Sequence, residues 1–402
     1  MHMNSPTILV EQRFIANHYN PLPVVLVKGK GVYVWDEQGK QYLDCMSGYS
    51  ALSHGHCHPK LLEALTEQAQ KLTFTSRAFY HDKLGAFLNY CCELTEQDKA
   101  LPMNTGAEAV ETAIKAARKW AYTVKGISEN QAEIIVCTGN FHGRTTTIVG
   151  FSSELQYRAH FGPFAPGFVC IPYGDTHALE QAITPNTAAF LVEPIQGEAG
   201  IILPPVGYLK TCETLCRKHN VLLICDEIQT GLGRTGRFLA CQHEQVKPDG
   251  LLLGKALGGS FLPVSMFLSK KEVMDVFTPG DHGSTFGGNP LASVIGLTAL
   301  QIIIDENLSE QSAILGDYLL NELNKIKSTV IKEIRGKGLL IGIEINPREA
   351  RARDICLRLL EKGILTKEVH ETVIRLAPPL IVTKEQLGEL VDKFAEVIRE
   401  TE

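Results

Sequence analysis

Short apolar runs alternate with helical patterns through the middle of the chain, from about residue 100 to residue 290. The clearest runs are apolar throughout and lie at residues 134–136, 190–192, 221–224 and 251–253. Strands of this kind are buried on both faces, which is typical of a parallel sheet covered by helices on both sides. We therefore predict an α/β fold whose large domain has a mostly parallel central sheet flanked by helices.

The two ends of the chain have different patterns. Residues 32–35 and 41–43 have strand character and enclose the turn-forming residues 36–39, which predicts a hairpin. Beyond about residue 290, helical stretches precede a strand pair near residues 339–344 and a final amphipathic helix. This mixture predicts a smaller α+β domain.

No repeat, low-complexity tract or flexible linker divides the 402 residues into independent modules. At roughly 100–200 residues per domain, the length allows two to four domains. The pattern predicts three interlocked parts. They are an N-terminal segment at residues 1–50 that joins the small domain, a large domain at residues 51–289, and a C-terminal small domain at residues 290–402.

Polar residues follow the apolar runs at the points where the predicted strands end. Residues 139–144 follow the first run, Glu193 the second, Asp226 the third and Lys255 the fourth. In open α/β sheets, ligands bind outside the carboxyl ends of the strands. These groups therefore predict a single site at that end of the sheet.

A helix start lies close to the predicted site. Thr105 and Glu108 have the spacing of a capping box that opens an amphipathic helix. Most capping boxes mark only the start of a helix. Here Gly106 would also let an anion approach the backbone N–H groups at the positive helix end. The pattern alone leaves both interpretations open.

Asp226 and Lys255 each have an ordinary explanation. A carboxylate after an apolar run can form a structural ion pair, and a lysine at a strand end can simply be exposed. A partly desolvated lysine, however, has a lowered pKa and reacts readily with carbonyl groups. Together, a lysine, an acid and a phosphate cup are what a carbonyl cofactor with a pyridine nitrogen requires.

Composition narrows the classes of function. The chain has 39 Lys and Arg residues against 45 Asp and Glu residues, so its charge of −6 provides no basic surface for nucleic acid. No apolar stretch has the length of a membrane span, and the N-terminal region lacks the pattern of a secretory signal peptide. The 11 cysteines are scattered, which favours reduced thiols in a cytoplasmic protein. Residues 54–58 hold several histidines but have no second cluster, so we predict no metal site.

Several motifs resemble those of the class III pyridoxal-phosphate-dependent aminotransferases and occur in that family's order. They lie at residues 104–109, 141–145, 192–198, 226–231 and 253–257. The resemblance spans nearly the whole chain. It implies a fold-type I transferase that uses pyridoxal 5′-phosphate and works as a homodimer with cofactor sites at the subunit interface.

The resemblance implies a role for each residue around the cofactor ring. Lys255 would attach the cofactor and later move the substrate proton, so it would be both anchor and general base. Asp226 would pair with the pyridine nitrogen, and Gln229 would hydrogen-bond the phenolic oxygen. Phe141 would stack on the ring face, with His142 as a further cofactor contact.

The resemblance also implies which residues bind the phosphate. Gly106 and Ala107 would donate backbone N–H groups to it, in agreement with the functional interpretation of the capping box. Ser284 and Thr285 would complete the phosphate site, with Thr285 reaching the cofactor of the other subunit.

Within the family, the chain is most similar to members that act on ornithine. The similarity lies in residues 18–23, 48–51, 55–59 and 375–379. It implies transfer of the δ-amino group of L-ornithine to a 2-oxo acid, 2-oxoglutarate, with L-glutamate 5-semialdehyde and glutamate as products. The expected partners are therefore small-molecule amino acids and 2-oxo acids.

Substrate selection is expected to depend on two arginines. By resemblance, Arg144 and Tyr19 would hold the distant α-carboxylate of ornithine, and Arg375 would bind the α-carboxylate of 2-oxoglutarate. Glu198 would pair with Arg375 while ornithine is bound. Tyr49 would line the pocket and favour ornithine over ω-amino acids without an α-amino group.

Three alternatives stay open. His142 also occurs in family members that act on N-acetylornithine or 4-aminobutyrate, whereas animal members that act on ornithine have tryptophan there. A transferase for N-acetylornithine, 4-aminobutyrate or lysine is therefore the first alternative. Residues 231–236 match G-x-G-x-x-G, as in some oxidoreductases, but they do not directly follow the strand and open no clear helix. A non-catalytic scaffold, the third alternative, would need no reactive lysine.

Overall fold

The structure is a computed structural model that describes residues 5–402. Its strands are β1 (Leu26–Lys30), β2 (Tyr33–Asp36), β3 (Gln41–Asp44), β4 (Lys99–Met103), β5 (Glu133–Cys137), β6 (Phe168–Ile171), β7 (Thr187–Val192), β8 (Leu222–Asp226), β9 (Gly250–Leu253), β10 (Ser265–Ser269), β11 (Ile331–Lys337), β12 (Leu340–Ile345), β13 (Ile364–Leu365), β14 (Lys367–Val369) and β15 (Val373–Leu376). Its helices are α1 (Pro6–Phe14), α2 (Ser47–Ser50), α3 (Pro59–Ala69), α4 (Leu84–Thr95), α5 (Gly106–Trp120), α6 (Thr146–Gly150), α7 (Leu155–Arg158), α8 (Thr176–Ala182), α9 (Tyr208–Lys218), α10 (Lys271–Met274), α11 (Pro290–Asp305), α12 (Leu308–Leu323), α13 (Ala352–Glu361) and α14 (Lys384–Arg399).

The central sheet has 7 strands in the order β4-β10-β9-β8-β7-β5-β6. Every pairing among β5, β6, β7, β8 and β9 is parallel. Strand β10 is antiparallel to both β4 and β9. The apolar runs of the sequence lie in β5, β7, β8 and β9, so the predicted mostly parallel sheet is confirmed.

Both faces of this sheet are covered, which explains why its strands are apolar throughout. Ile134 and Val136 of β5 pack in one buried cluster with the apolar face of α5. Ile135 and Cys137 pack in a second cluster, which includes residues of α9. Successive side chains of a strand point to opposite faces, so each cluster receives alternate residues of the same run.

Two smaller sheets have the strand orders β1-β2-β3-β13 and β11-β12-β15-β14. The predicted hairpin is confirmed, with Tyr33 of β2 opposite Leu43 of β3 in antiparallel register. Strand β3 also pairs in parallel with β13, so the N-terminal hairpin and the C-terminal part of the chain share one sheet. Helix α11 packs against α3 and α4. The domain boundaries at residues 50 and 290 stay a prediction.

The buried side chain of Arg234 joins distant parts of the chain. Its Nη1 donates to the carbonyl oxygens of Leu339, at 3.0 Å, and Pro378, at 2.6 Å. Its Nη2 donates to Ser53 Oγ at 3.2 Å. The glycine-rich residues 231–236 around it form a turn and open no helix, unlike a dinucleotide-binding motif.

Within residues 5–402, no single helix is long and apolar enough to span a membrane, although α11 and α12 pass that test when taken as one bent pair. The same residues contain no group of three or more His, Cys, Asp or Glu side chains that could hold a metal ion. Two histidines of residues 54–58 have protein partners instead. His54 Nε2 lies 2.9 Å from the carbonyl oxygen of Ala299, and His56 Nε2 lies 2.8 Å from Asp44 Oδ2.

Candidate active site

A cavity of about 200 Å³ lies at the carboxyl ends of the parallel strands. Eight residues predicted from the sequence to bind the cofactor or the substrate line it together, namely Gly106, Ala107, Phe141, His142, Glu198, Asp226, Gln229 and Lys255. They come from strand ends, from the start of α5 and from the loops between them. The topology therefore gathers in one place groups that are far apart in sequence.

Lys255 is the amine of the cavity. It follows β9 in a tight turn and has a left-handed backbone, with φ of 46°. Such a backbone conformation is unfavourable for residues other than glycine and is found preferentially at functional sites. Burial lowers the pKa of Lys255 to about 8, and the charge of Arg375 also lowers it, although Glu198 acts in the opposite direction. The side chain keeps some access to solvent through the cavity.

Asp226 ends β8 and is buried next to His142. Its Oδ2 lies 2.6 Å from His142 Nδ1, and its Oδ1 accepts a hydrogen bond from the Ile228 N–H at 3.1 Å. Burial acts to lower the pKa of His142, but the hydrogen bond and charge of Asp226 outweigh it and the pKa is raised. His142 is therefore a hydrogen-bond partner of the acid, and the carboxylate of Asp226 favours its protonated form.

Glu193 is a buried carboxyl group beside this pair, with no role predicted from the sequence. Its Oε2 accepts a hydrogen bond from the Phe141 N–H at 3.0 Å. Burial raises the pKa of Glu193 to about 7, while His142 opposes that shift. Its place directly after an apolar run was the available signal.

Glu198 and Arg375 form an ion pair at the cavity. Arg375 Nη1 donates to Glu198 Oε1 at 2.6 Å, and Gln229 Nε2 donates to the same oxygen at 3.2 Å. Burial acts to raise the pKa of Glu198, but Arg375 and then Lys255 outweigh it and lower the pKa to about 2. Glu198 is therefore ionised over the whole neutral range, and it neutralises Arg375.

Tyr49 and Tyr19 reach the same region from the N-terminal segment. Tyr49 lies in a left-handed turn with φ of 63°, and its ring centroid is 5.0 Å from the guanidinium carbon of Arg375. Tyr19 is 61% exposed. Arg353 holds the segment that follows Tyr19, because its Nη atoms donate to the carbonyl oxygens of residues 20 and 21.

Arg144 has surroundings very different from those of Arg375. Its guanidinium carbon lies 3.8 Å from the ring centroid of Tyr157 and 5.4 Å from that of Phe141. Among the described residues, none accepts a hydrogen bond from Arg144 and no carboxylate pairs with it. Tyr157 has no signal in the sequence, because its contact depends on the path of the short helix α7.

The start of α5 forms the predicted capping box. Glu108 N donates to Thr105 Oγ1 at 3.3 Å, and Thr105 N donates to Glu108 Oε2 at 2.7 Å. Gly106 and Ala107 thereby open the helix at the wall of the cavity. Ser284 and Thr285 are not among the residues that line this cavity. Ser284 Oγ accepts from Asn104 Nδ2 at 3.0 Å, and Thr285 is exposed.

A partly buried lysine, a buried carboxylate and a helix N-terminus around one cavity of a mostly parallel α/β sheet define an enzyme of the pyridoxal-phosphate-dependent type, with fold type I. The family model for class III aminotransferases matches residues 14–398. The chain therefore belongs to the class III aminotransferase family.

Curated relatives agree with this membership. The ornithine aminotransferase of Brevibacillus brevis is 54% identical over 402 residues, which is 100% of both chains. That of Bacillus subtilis is 55% identical over 384 residues, which is 96% of this chain and 95% of the relative.

Solved structures give the same result. The ornithine aminotransferase from Toxoplasma gondii has a TM-score of 0.97 and 46% identity, covering 98% of this chain and 94% of that one. The acetylornithine aminotransferase from Elizabethkingia anophelis has a TM-score of 0.90 and 50% identity, covering 98% of each chain.

Proposed function

We propose that this aminotransferase transfers the δ-amino group of L-ornithine to 2-oxoglutarate, which gives L-glutamate 5-semialdehyde and L-glutamate. The observation that carries the proposal is the contrast between two arginines. Arg375 is neutralised by Glu198, whereas Arg144 pairs with no carboxylate among the described residues. The similarity to ornithine aminotransferases along the full chain supports the same substrate.

This contrast fits the two substrates. Ornithine carries its α-carboxylate far from the reacting δ-amine, so Arg144 and Tyr19 would hold that carboxylate while Glu198 keeps Arg375 neutral. In 2-oxoglutarate the α-carboxylate adjoins the reacting carbon. Arg375 would bind this carboxylate through a bidentate pair of hydrogen bonds once Glu198 turns away. Tyr49, beside Arg375, would favour ornithine over ω-amino acids that lack an α-amino group.

The residues of the cavity fit pyridoxal 5′-phosphate. The chain supplies an amine for its aldehyde, a carboxylate for its pyridine nitrogen and a helix N-terminus for its phosphate. Gln229 Oε1 is buried and has no hydrogen-bond partner among the described residues. Because Nε2 of Gln229 already donates to Glu198, the free group is the acceptor Oε1, which would receive a hydrogen bond from the phenolic oxygen in its protonated form. When bound, the cofactor supplies an electron sink for the carbanion at the substrate carbon.

Each residue around the ring would then have a distinct task. Asp226, oriented by His142, would hold the proton at the pyridine nitrogen. Lys255 would anchor the cofactor, and its Nζ would carry the proton from the substrate carbon. Phe141 would cover one face of the ring and exclude water.

The lowered pKa of Lys255 gives a pH dependence for cofactor attachment. Only the neutral amine is nucleophilic, and its fraction reaches about one half near pH 8 instead of near pH 10.5. We expect the rate at which cofactor-free protein gains the bound-cofactor absorption to rise up to about pH 8 and to level off about one unit above it. Stopped-flow absorbance at a series of pH values measures this rate. A rate that still rises tenfold per pH unit above about pH 9 would indicate that the pKa of Lys255 is not lowered.

We propose that the protein works as a homodimer in which Thr285 reaches the phosphate of the other subunit's cofactor, with Ser284 as a further cofactor contact. Thr285 and Phe286 are exposed, and the Phe286 ring lies 4.7 Å from that of Phe74, which is also exposed. Exposed neighbouring aromatic rings are typical of surfaces that a protein partner covers.

The proposed location is the cytoplasm, in keeping with free cysteines among the described residues.

A comparison of amino donors tests the function. We expect kcat/KM for ornithine to exceed that for N-acetylornithine and 4-aminobutyrate by at least about tenfold, because only ornithine offers both a free α-amino group and a distant carboxylate. The measurement is steady-state turnover of the purified protein with 2-oxoglutarate as acceptor. Faster turnover of N-acetylornithine than of ornithine would instead support a second candidate function.

That second candidate is an acetylornithine aminotransferase. It is favoured by His142, and by the 50% identity to the Elizabethkingia anophelis enzyme of that name. The 54% identity to full-length ornithine aminotransferases favours the first candidate.

A further inference from the structure

The guanidinium of Arg144 is held by aromatic rings and not by a carboxylate. Its carbon lies 3.8 Å from the Tyr157 ring centroid, which is contact distance, and 5.4 Å from that of Phe141. The two rings are 6.1 Å apart and nearly perpendicular, at 79°. The closer ring therefore sets the position of the cation.

This form of support differs from that of the other arginines near the site. Arg375 is paired with Glu198, and Arg353 is paired with Glu368. A carboxylate partner occupies N–H groups of a guanidinium, whereas an aromatic ring contacts its flat face. Contact with Tyr157 therefore holds Arg144 in place and leaves its N–H edge free to bind a carboxylate from a ligand.

Tyr157 belongs to the same electrostatic environment as the substrate residues. Burial is the main cause that raises the pKa of its hydroxyl, and Arg144 opposes the shift. Glu198 and Tyr19 also contribute to the raised pKa, so they lie within electrostatic reach of Tyr157. Helix α7, which carries Tyr157, thus adjoins the site although no motif marks it.

We propose that Tyr157 is a positioning residue for substrate selection, which orients Arg144 so that its N–H edge meets the distant carboxylate of the amino donor. The proposal rests on the proposed function, because it takes ornithine as the donor whose distant carboxylate meets Arg144. Tyr157 acts through Arg144 and takes no part in the chemistry at the cofactor.

The test is a double-mutant cycle on the cofactor-loaded enzyme with ornithine as donor. We expect Tyr157→Leu to lower kcat/KM about tenfold, mostly through KM, as for the loss of a partly desolvated cation–π contact. Arg144→Gln should lower it roughly 100-fold through loss of the charged carboxylate contact. If Tyr157 acts through Arg144, the double variant should lie within about twofold of Arg144→Gln alone.

Two further variants separate positioning from a structural effect. Tyr157→Phe keeps the ring and should retain kcat/KM within about twofold. Phe164→Leu is the matched control, since Phe164 stacks on Arg158 of the same helix α7, with 5.3 Å between guanidinium carbon and ring centroid. It should leave the KM for ornithine near the wild-type value.

The outcomes are distinguishable. The role of Tyr157 would be overturned if the losses of kcat/KM in the two single variants multiplied in the double variant. It would also be overturned if Phe164→Leu raised the KM for ornithine as much as Tyr157→Leu does. Turnover of ornithine by the wild-type protein would support the proposed function in either case. A wild-type protein without ornithine turnover would overturn the proposed function, and with it the assignment of Tyr157 to the ornithine carboxylate.

Discussion

Replacing Lys255 with alanine is expected to lower amino-group transfer by roughly 10⁴-fold or more and to abolish covalent attachment of the cofactor. Lys255 is the only amine among the described residues that line the cavity. Its removal would take away the anchor and the general base together. No other side chain at the cavity can replace both.

Two measurements check this expectation. Visible absorption after gel filtration reports bound cofactor, and mass spectrometry after borohydride reduction locates the adduct on a peptide. Lys125→Ala is the matched control, because burial also lowers the pKa of Lys125, yet this lysine donates to the carbonyl oxygen of Thr187 away from the cavity. The control should keep cofactor and turnover. A reducible adduct or near-normal turnover in Lys255→Ala would contradict the assignment.

Much of the central sheet could be predicted from the sequence, because strands covered on both faces are apolar in every position. The direction of β10 could not be predicted in this way. All five of its residues are buried, and burial alone does not distinguish a parallel from an antiparallel strand. Its antiparallel pairing depends on the short connection from β9 through the turn that begins at Lys255.

The same distinction holds at the site. Asp226 and Lys255 could be selected because both follow apolar runs, and strand ends converge in this type of sheet. The contact between Arg144 and Tyr157 could not, because it depends on how α7 folds back over the loop after β5. Glu193 was visible at a strand end, but its raised pKa results from burial that only the three-dimensional structure shows.

Replacing Glu198 with glutamine is expected to lower the discrimination between the δ-amine and the α-amine of ornithine by about 100-fold. Glu198 is ionised at neutral pH, so the change removes a full charge from its pair with Arg375. The guanidinium of Arg375, left without a carboxylate partner, would then attract the α-carboxylate of ornithine and bring the α-amine to the cofactor. Glutamine is nearly isosteric with glutamate, so the shape of the cavity is preserved.

The two modes of reaction give different products, which makes the prediction measurable. Transfer from the δ-amine gives an aldehyde, whereas transfer from the α-amine gives a 2-oxo acid. Each closes on its remaining amine, and chromatography of the two isomeric cyclic imines yields their ratio. Glu213→Gln is the matched control, since Glu213 pairs with Arg217 on α9, outside the cavity. The control should keep the wild-type ratio. An unchanged product ratio in Glu198→Gln would contradict this prediction. Arg375 would then have lost its carboxylate partner without any effect on the product, so the shape of the cavity alone would exclude the α-amine.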